Sequence, residues 1–282
     1  MARKATAKEE FLIEIKRLER ATVEIYILGE NLCCNRMPKK AKETLLLPAR
    51  MTNRRAREAV LKHNPPEEFR DSIYRCRNDK APTYLHMPNG AFKKAMAQTA
   101  VDIPGATKAE IGRLVQVIDE TVHVWGRPFL YMDIVRQAGI NRTPDVRTRA
   151  MLPAWAAKIT VQYIRSLIRE QDVINLMDAA GIICGVGDGR TEKGTFNYGT
   201  WELVAANDKR WHEIVKTQGR ALQLDAMERP TPLNEDSAEL LTWFHAEIHR
   251  RELDDRVKPP ADQSNNGSRR RRRQPEAEAR PE

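Results

Sequence analysis

Long apolar runs are missing from this 282-residue sequence. None reaches the ~18 residues of a membrane-spanning helix, so no helical span is expected. The first ten residues, MARKATAKEE, hold no apolar stretch, and no secretory signal is expected there. Cysteine is scarce: Cys33 and Cys34 are adjacent, and Cys76 and Cys184 are far apart. No C-x-x-C spacing exists, which argues against a zinc site and fits reduced thiols in a cytoplasm.

Catalytic patterns are equally thin. The glycines at 185 and 187 begin a G-x-G-x-x-G, but position 190 is Arg and no helix is expected to follow. Gly194 is followed by Thr195, not by the Lys-Ser/Thr of a phosphate-binding loop. His245 and His249 flank Glu247 as H-x-E-x-H, which turns the glutamate away from where a metalloprotease base must sit. No histidine is placed by sequence to activate Cys33 or Cys34. A metal-dependent nuclease needs several convergent carboxylates, and only Asp145 and Asp188 accompany the basic segments. The expectation is a binding protein without metal, cofactor or catalytic residues, with a nuclease kept as an alternative.

What is abundant is positive charge. The net charge is +9, and a basic balance favours a polyanionic partner. Residues 264–282 carry six Arg and three Glu and contribute +3, which leaves +6 to the rest of the chain. The basicity is therefore not a property of the Arg269–Arg273 run alone.

Periodicity organises the chain. Residues 11–28 read as extended, with Val23, Ile25 and Ile27 alternating against Thr22, Glu24 and Tyr26. A helix is expected after Asn35, with Pro38 in its first turn. Residues 48–82 are Arg-rich and proline-punctuated and read as a partly helical insertion. A short strand at 83–87 and a helix near 90–101 follow, with Phe92, Ala95, Met96 and Thr99 on its inner face. Residues 114–118 and 122–125 read as a hairpin. Two strands are expected at 146–151 and 155–164, the first with Arg147 and Arg149 on one face. Residues 170–180 form an amphipathic helix closed by Gly181, then a short buried strand at 182–184, a glycine-rich loop and a last strand at 201–204. This order predicts an α+β fold with an RRM- or ferredoxin-like core over 1–205, a helical extension over 206–257 with a Leu240, Leu241, Phe244, Ile248 stripe, and a disordered basic tail over 258–282.

The glycine-rich loop is the most informative segment. Gly185, Gly187, Gly189, Gly194 and Gly199 fall within fifteen residues, with Arg190 and Lys193 among them. Such a backbone can approach phosphates closely; the other reading is a connector between strands. Arg147 and Arg149 can neutralise phosphates, or guard an edge strand. Arg36, Lys39 and Lys40, and Lys93 and Lys94, add two further basic clusters. Phe196 and Tyr198 can stack bases, whereas Trp201 reads as core.

Three segments carry a resemblance: Asn35-Arg-Met-Pro-Lys-Lys-Ala-Lys, Met87-Pro-Asn-Gly-Ala-Phe-Lys-Lys-Ala-Met, and Gly181-Ile-Ile-Cys-Gly-Val-Gly-Asp-Gly-Arg followed by Gly194 and Tyr198-Gly199. Over residues 20–205 the chain resembles a group of uncharacterised phage and prophage proteins. It is more distantly similar to the RAMP superfamily, the backbone subunits of CRISPR effector complexes. That likeness implies an RRM-like core that polymerises along single-stranded RNA, and a site in the cytoplasm of a bacterial host. The resulting expectation is a sequence-tolerant binder of single-stranded DNA or RNA that forms homo-oligomers and serves phage DNA or RNA metabolism. A scaffold or virion-associated interaction protein is the alternative.

Overall fold

The computed structural model describes residues 17–36, 63–136, 144–193 and 196–257, with side chains through residue 250. The expectations for residues 1–16, for the helix after Asn35, for residues 48–62, for Gly194 and for the tail from 258 lie outside these. Two compact units divide at Leu240 and Leu241.

The first unit is built on β7 (Pro144–Ile164). Its residues explain its length. Ala157, Ile159, Val161 and Tyr163 are buried on one face, while Lys158, Thr160 and Gln162 point the other way. β1 (Arg20–Cys34) pairs antiparallel along one edge, from Arg20 opposite Ile164 to Cys34 opposite Ala150. The other edge is shared by three strands in succession. β6 (Phe129–Arg136) pairs with residues 144–151, β5 (Thr121–Trp125) with 156–157 and β4 (Val115–Val117) with 161–163. β8 (Thr200–Val204) pairs with β1, and β3 (Leu85–Pro88) with β5 and with the two-residue β2 (Tyr74–Arg75).

These pairings correct four expectations. The strands at 146–151 and 155–164 are one strand. Pro153 lies in its middle opposite Asn31, where it can donate no ladder bond and where Asn31 takes φ +48°. The strands around 115 and 122 do not form a hairpin; both bond to β7, and the Asp119 carboxylate accepts from Thr160 N at 2.6 Å between them. β6 occupies a stretch for which no strand was expected. Residues 182–183 are helical, not a strand, with Ile182 65% exposed, and Gly181 lies inside that helix against Trp201.

Helices α1 (Pro65–Asp71), α2 (Asn89–Thr99), α3 (Lys108–Leu114) and α4 (Glu170–Ile183) follow from their own signals. Asn64 caps α1 ahead of two prolines, and Thr107 with Glu110 makes a capping box for α3. α2 and α4 turn Phe92, Met96, Val173, Met177 and Ala180 into the core. There Phe92, Trp155 and Trp201 meet with ring centroids 5.7–6.5 Å apart. Trp201 is core, as expected from sequence, and its indole donates to Met177 O at 3.1 Å. The order β8-β1-β7-β4, reached by a strand–helix–strand–strand–helix–strand path through α2 and α4, makes this an α+β protein consistent with a ferredoxin-like core.

Residues beyond β8 belong to the same unit up to Leu240. α5 (Lys209–Thr217) sets Trp211 on the opposite sheet face against Tyr26, Leu28 and Ala156. α6 (Arg220–Glu228) inserts the fully buried Gln223 where β3 and β5 diverge. Its Oε1 accepts from Tyr84 N at 2.8 Å and Leu85 N at 3.1 Å; its Nε2 donates to Val124 O at 2.8 Å and Gly126 O at 3.1 Å. α7 (Glu235–Val257) completes the described chain. Among the described residues, no helix is long and apolar enough to cross a membrane.

Replacing Gln223 by Leu leaves two buried donors and two acceptors unpaired. At about 1–3 kcal/mol for an orphaned buried group, a loss of about 3 kcal/mol is expected in urea unfolding followed by Trp fluorescence. A second prediction concerns His63, whose Nδ1 lies 2.8 Å from Glu68 Oε1 and whose Nε2 lies 2.9 Å from Asp145 Oδ1. The bond to Glu68, with help from Asp145 and against burial, raises its pKa. A raised folded value means the tie stabilises fully below the free histidine value of about 6.5 and fades as pH rises through the folded pKa. Stability measured from pH 6 to 9 should fall across that window, and His63→Ala should flatten the fall.

Candidate nucleic-acid interface

The glycine-rich segment leaves α4 at Cys184 and returns at β8. It is laid against β1 by main-chain bonds. Asp188 N donates to Cys33 O at 2.9 Å, and Gly199 N to Glu30 O and Asn31 O at 3.1 and 3.0 Å. Close approach explains two of the glycines. Gly187, at φ +86°, would place a Cβ 2.5 Å from Cys33 O; Gly189, at φ +64°, would place one 2.8 Å from the Tyr198 ring. The glycines at 187 and 189 thus serve contacts within the chain itself.

An ion cluster around a buried arginine fixes the middle of the loop. Arg149, whose side chain is 6% exposed, donates to Asp188 at 2.7 Å and to Asp133 of β6 at 3.2 Å. Its guanidinium lies 5.4 Å from the centre of the Tyr131 ring. Asn35 Nδ2 adds a 2.8 Å bond to Asp188. Burial alone would raise the Asp188 carboxyl, but the bonds from Arg149 and Asn35 outweigh it and hold it below the usual range. Burial pushes the neighbouring Cys33 thiol up to about 12, so it stays protonated. Arg149 is therefore not an open phosphate ligand. Arg147, two residues away in β7, is exposed, with Asp133 as its cross-strand neighbour.

The same loop carries an aromatic stack. Phe196 and Tyr198 lie parallel, 4.8 Å apart at 4°, and Tyr198 meets Tyr131 edge-on at 6.4 Å with their hydroxyls 3.4 Å apart. Burial, then the bond to Tyr198, raises the Tyr131 phenol well above its usual range. Phe196, at the outer end, is 38% exposed.

Beside the loop opens a cleft of about 420 Å³, lined among others by Asn35, Lys94, Gly187, Asp188, Arg190 and Glu192. The first turn of α2 borders it through Gly90 and Ala91. Lys94 is exposed there, and Lys93 is half-buried on the same helix. Arg190 bonds Glu192 at 2.8 Å and Gly187 O at 3.2 Å, and the exposed Lys193 lies 4.0 Å from Glu192. Arg36 donates its N–H to Ser72 O at 2.7 Å. Lys39, Lys40 and Gly194 lie outside the described residues. The structure thus brings Lys94, Gly185, Gly187 and Arg190 to one cleft, and Gly189, Phe196 and Tyr198 to one stack. Arg149 joins the two from beneath.

Three residues of this arrangement were missed by sequence reasoning: Tyr131, Asp133 and Asn35. The first two had a signal in the alternation of Leu130 and Met132 with Tyr131 and Asp133. Asn35 had none, because its partner is 153 residues away.

No protein-family model matches the chain, and no curated protein matches it. Among solved structures it is similar to the cryo-EM structure of the type III-B Cmr-beta bound to cognate target RNA, at 12% identity and a TM-score of 0.35. The likeness covers 66% of this chain and 59% of that one, so this chain spans less than two thirds of that chain's length.

The two arginines of one strand face should behave differently. Arg149→Met leaves the Asp133 and Asp188 carboxylates, 25% and 35% exposed, without their shared cation and should cost about 2 kcal/mol. Arg147→Ala should change stability by less than about 0.5 kcal/mol. Thermal and urea unfolding of both variants checks the contrast.

Proposed function

We propose that the protein binds single-stranded nucleic acid without sequence preference, through the aromatic stack and the cleft beside it. The observation that carries this is the Phe196–Tyr198 pair on a loop bonded to β1 and held by Arg149 through Asp188. The half-exposed outer ring of Phe196 offers a π-face to a base, and stacking tolerates every base. Lys94 and Arg190 line that cleft, Lys193 lies 4.0 Å from Glu192 of its wall, and the exposed Arg147 lies opposite Asp133; together they supply charge for phosphates. Asp133 and Asp188 are held by Arg149, which favours binding over catalysis. An RRM-like, RAMP-like core and assembly of several copies along a strand belong to the same proposal.

Fluorescence anisotropy with labelled single-stranded DNA and RNA across a salt series tests it. Affinity should fall steeply with salt as counterions are released. Phe196→Ala should weaken binding by about 1–3 kcal/mol, roughly 5- to 150-fold, with an unchanged salt slope. Lys94→Ala should lower the slope by about 1. Weak binding that ignores salt would sink the proposal. Residues 258–282 are a second basic element; a variant lacking them that no longer binds would move the site from the core to the tail.

A further inference from the structure

The β1–β7 ladder ends where Cys34 meets Ala150, and residues 144–149 of β7 run on with β6 alone. Among the described residues, no strand pairs with them on the other edge. A two-stranded ribbon is marginally stable by itself, so whatever holds that bare edge decides how firmly the β6–β7 arm stands. The α1 segment holds it at two points. Ser72, the buried C-cap of α1, accepts from Ala150 N through Oγ at 2.9 Å and donates to Phe69 O at 2.7 Å. That tie does not titrate. Further out along β7, His63 reaches Asp145.

His63 stands between two carboxylates, with Nδ1 2.8 Å from Glu68 Oε1 and Nε2 2.9 Å from Asp145 Oδ1. An ionised carboxylate can only accept, and a neutral imidazole has one N–H. Both bonds therefore exist together only in the imidazolium, and loss of the proton removes one of them. None of the three side chains is more than 21% exposed, so water replaces the lost bond poorly. Glu68 from α1 and Asp145 from β7 are the charged groups that face the ring, and both favour the proton.

We propose that His63 is a proton-operated latch, which pins the β6–β7 arm to α1 and releases it when the ring becomes neutral. The arm carries the exposed Arg147, and its Asp133 is one of the two carboxylates on Arg149. Release therefore loosens one side of the ion cluster beneath the glycine-rich loop. The latch is measured without nucleic acid, so it and the nucleic-acid proposal can fail separately.

Hydrogen exchange of the full chain at pH 6 and pH 9 tests it, read as protection factors so that the chemical rate divides out. Amides of residues 133–135 and 145–148 should lose protection at least several-fold between the two, while those of residues 22–27 in the β1–β7 ladder stay unchanged. His63→Gln should show the low arm protection at both pH values. Equal arm protection at pH 6 and pH 9 in the unmodified protein overturns the proposal. So does a fall of the same size in residues 22–27, or a His63→Gln chain that keeps the pH 6 protection. Ring nitrogen-15 shifts give a second reading that needs no variant. Both His63 nitrogens should carry a proton at pH 6 and only one at pH 9, and a neutral ring at pH 6 overturns the proposal.

Discussion

The twenty-one residues of β7 offer main-chain bonds along two edges, one to β1 and the other in turn to β6, β5 and β4. A strand of that length, paired on both sides, sets the register of everything around it. Because side chains alternate, one residue of slip on β7 would exchange Ile159 and Val161 for Lys158 and Thr160 in the core. The helices follow from this choice. α2 and α4 take the face that shows Trp155, and α5 takes the one that shows Ala156.

Arg149 connects that scaffold to the candidate interface. It sits on β7, so its position is set by the ladder, and it reaches Asp133 on β6 and Asp188 on the glycine-rich loop. A charge this deep is tolerable only because two carboxylates answer it. The same pairing holds the loop so that the Phe196–Tyr198 stack stands at a defined place. Preorganisation of this kind lowers the ordering cost of any ligand that stacks there.

The regular alternation of residues 22–27 and the amphipathic spacing of α2 were readable in the sequence, and so was the burial of Trp201. Other parts were not, for physical reasons. Pro153 ordinarily argues against a central strand, and β7 reads as two pieces because of it. The run Ile182-Ile183-Cys184 is too short for periodicity to separate a strand from the end of a helix. Arg147 and Arg149 look alike in a linear pattern; only the third dimension brings Asp133 and Asp188 to one and leaves the other exposed. Gln223 gave no signal at all, since its partners lie on strands about 100–140 residues away.

Pro153 has one more consequence. Opposite it, Asn31 turns out of the regular strand conformation, and the carbonyls of Glu30 and Asn31 both take Gly199 N. Asp188 is tied to Cys33 on the other side of that kink. The loop is thus pinned at its two ends, to backbone atoms that any side chain would present. Between them, Glu192 N adds a third tie, to Cys184 O at 3.2 Å, while the Phe196 ring stands outside all three. A substitution at Phe196 therefore changes the ring that the loop presents and leaves its anchors in place, as one exchanges the bit of a tool while keeping its chuck.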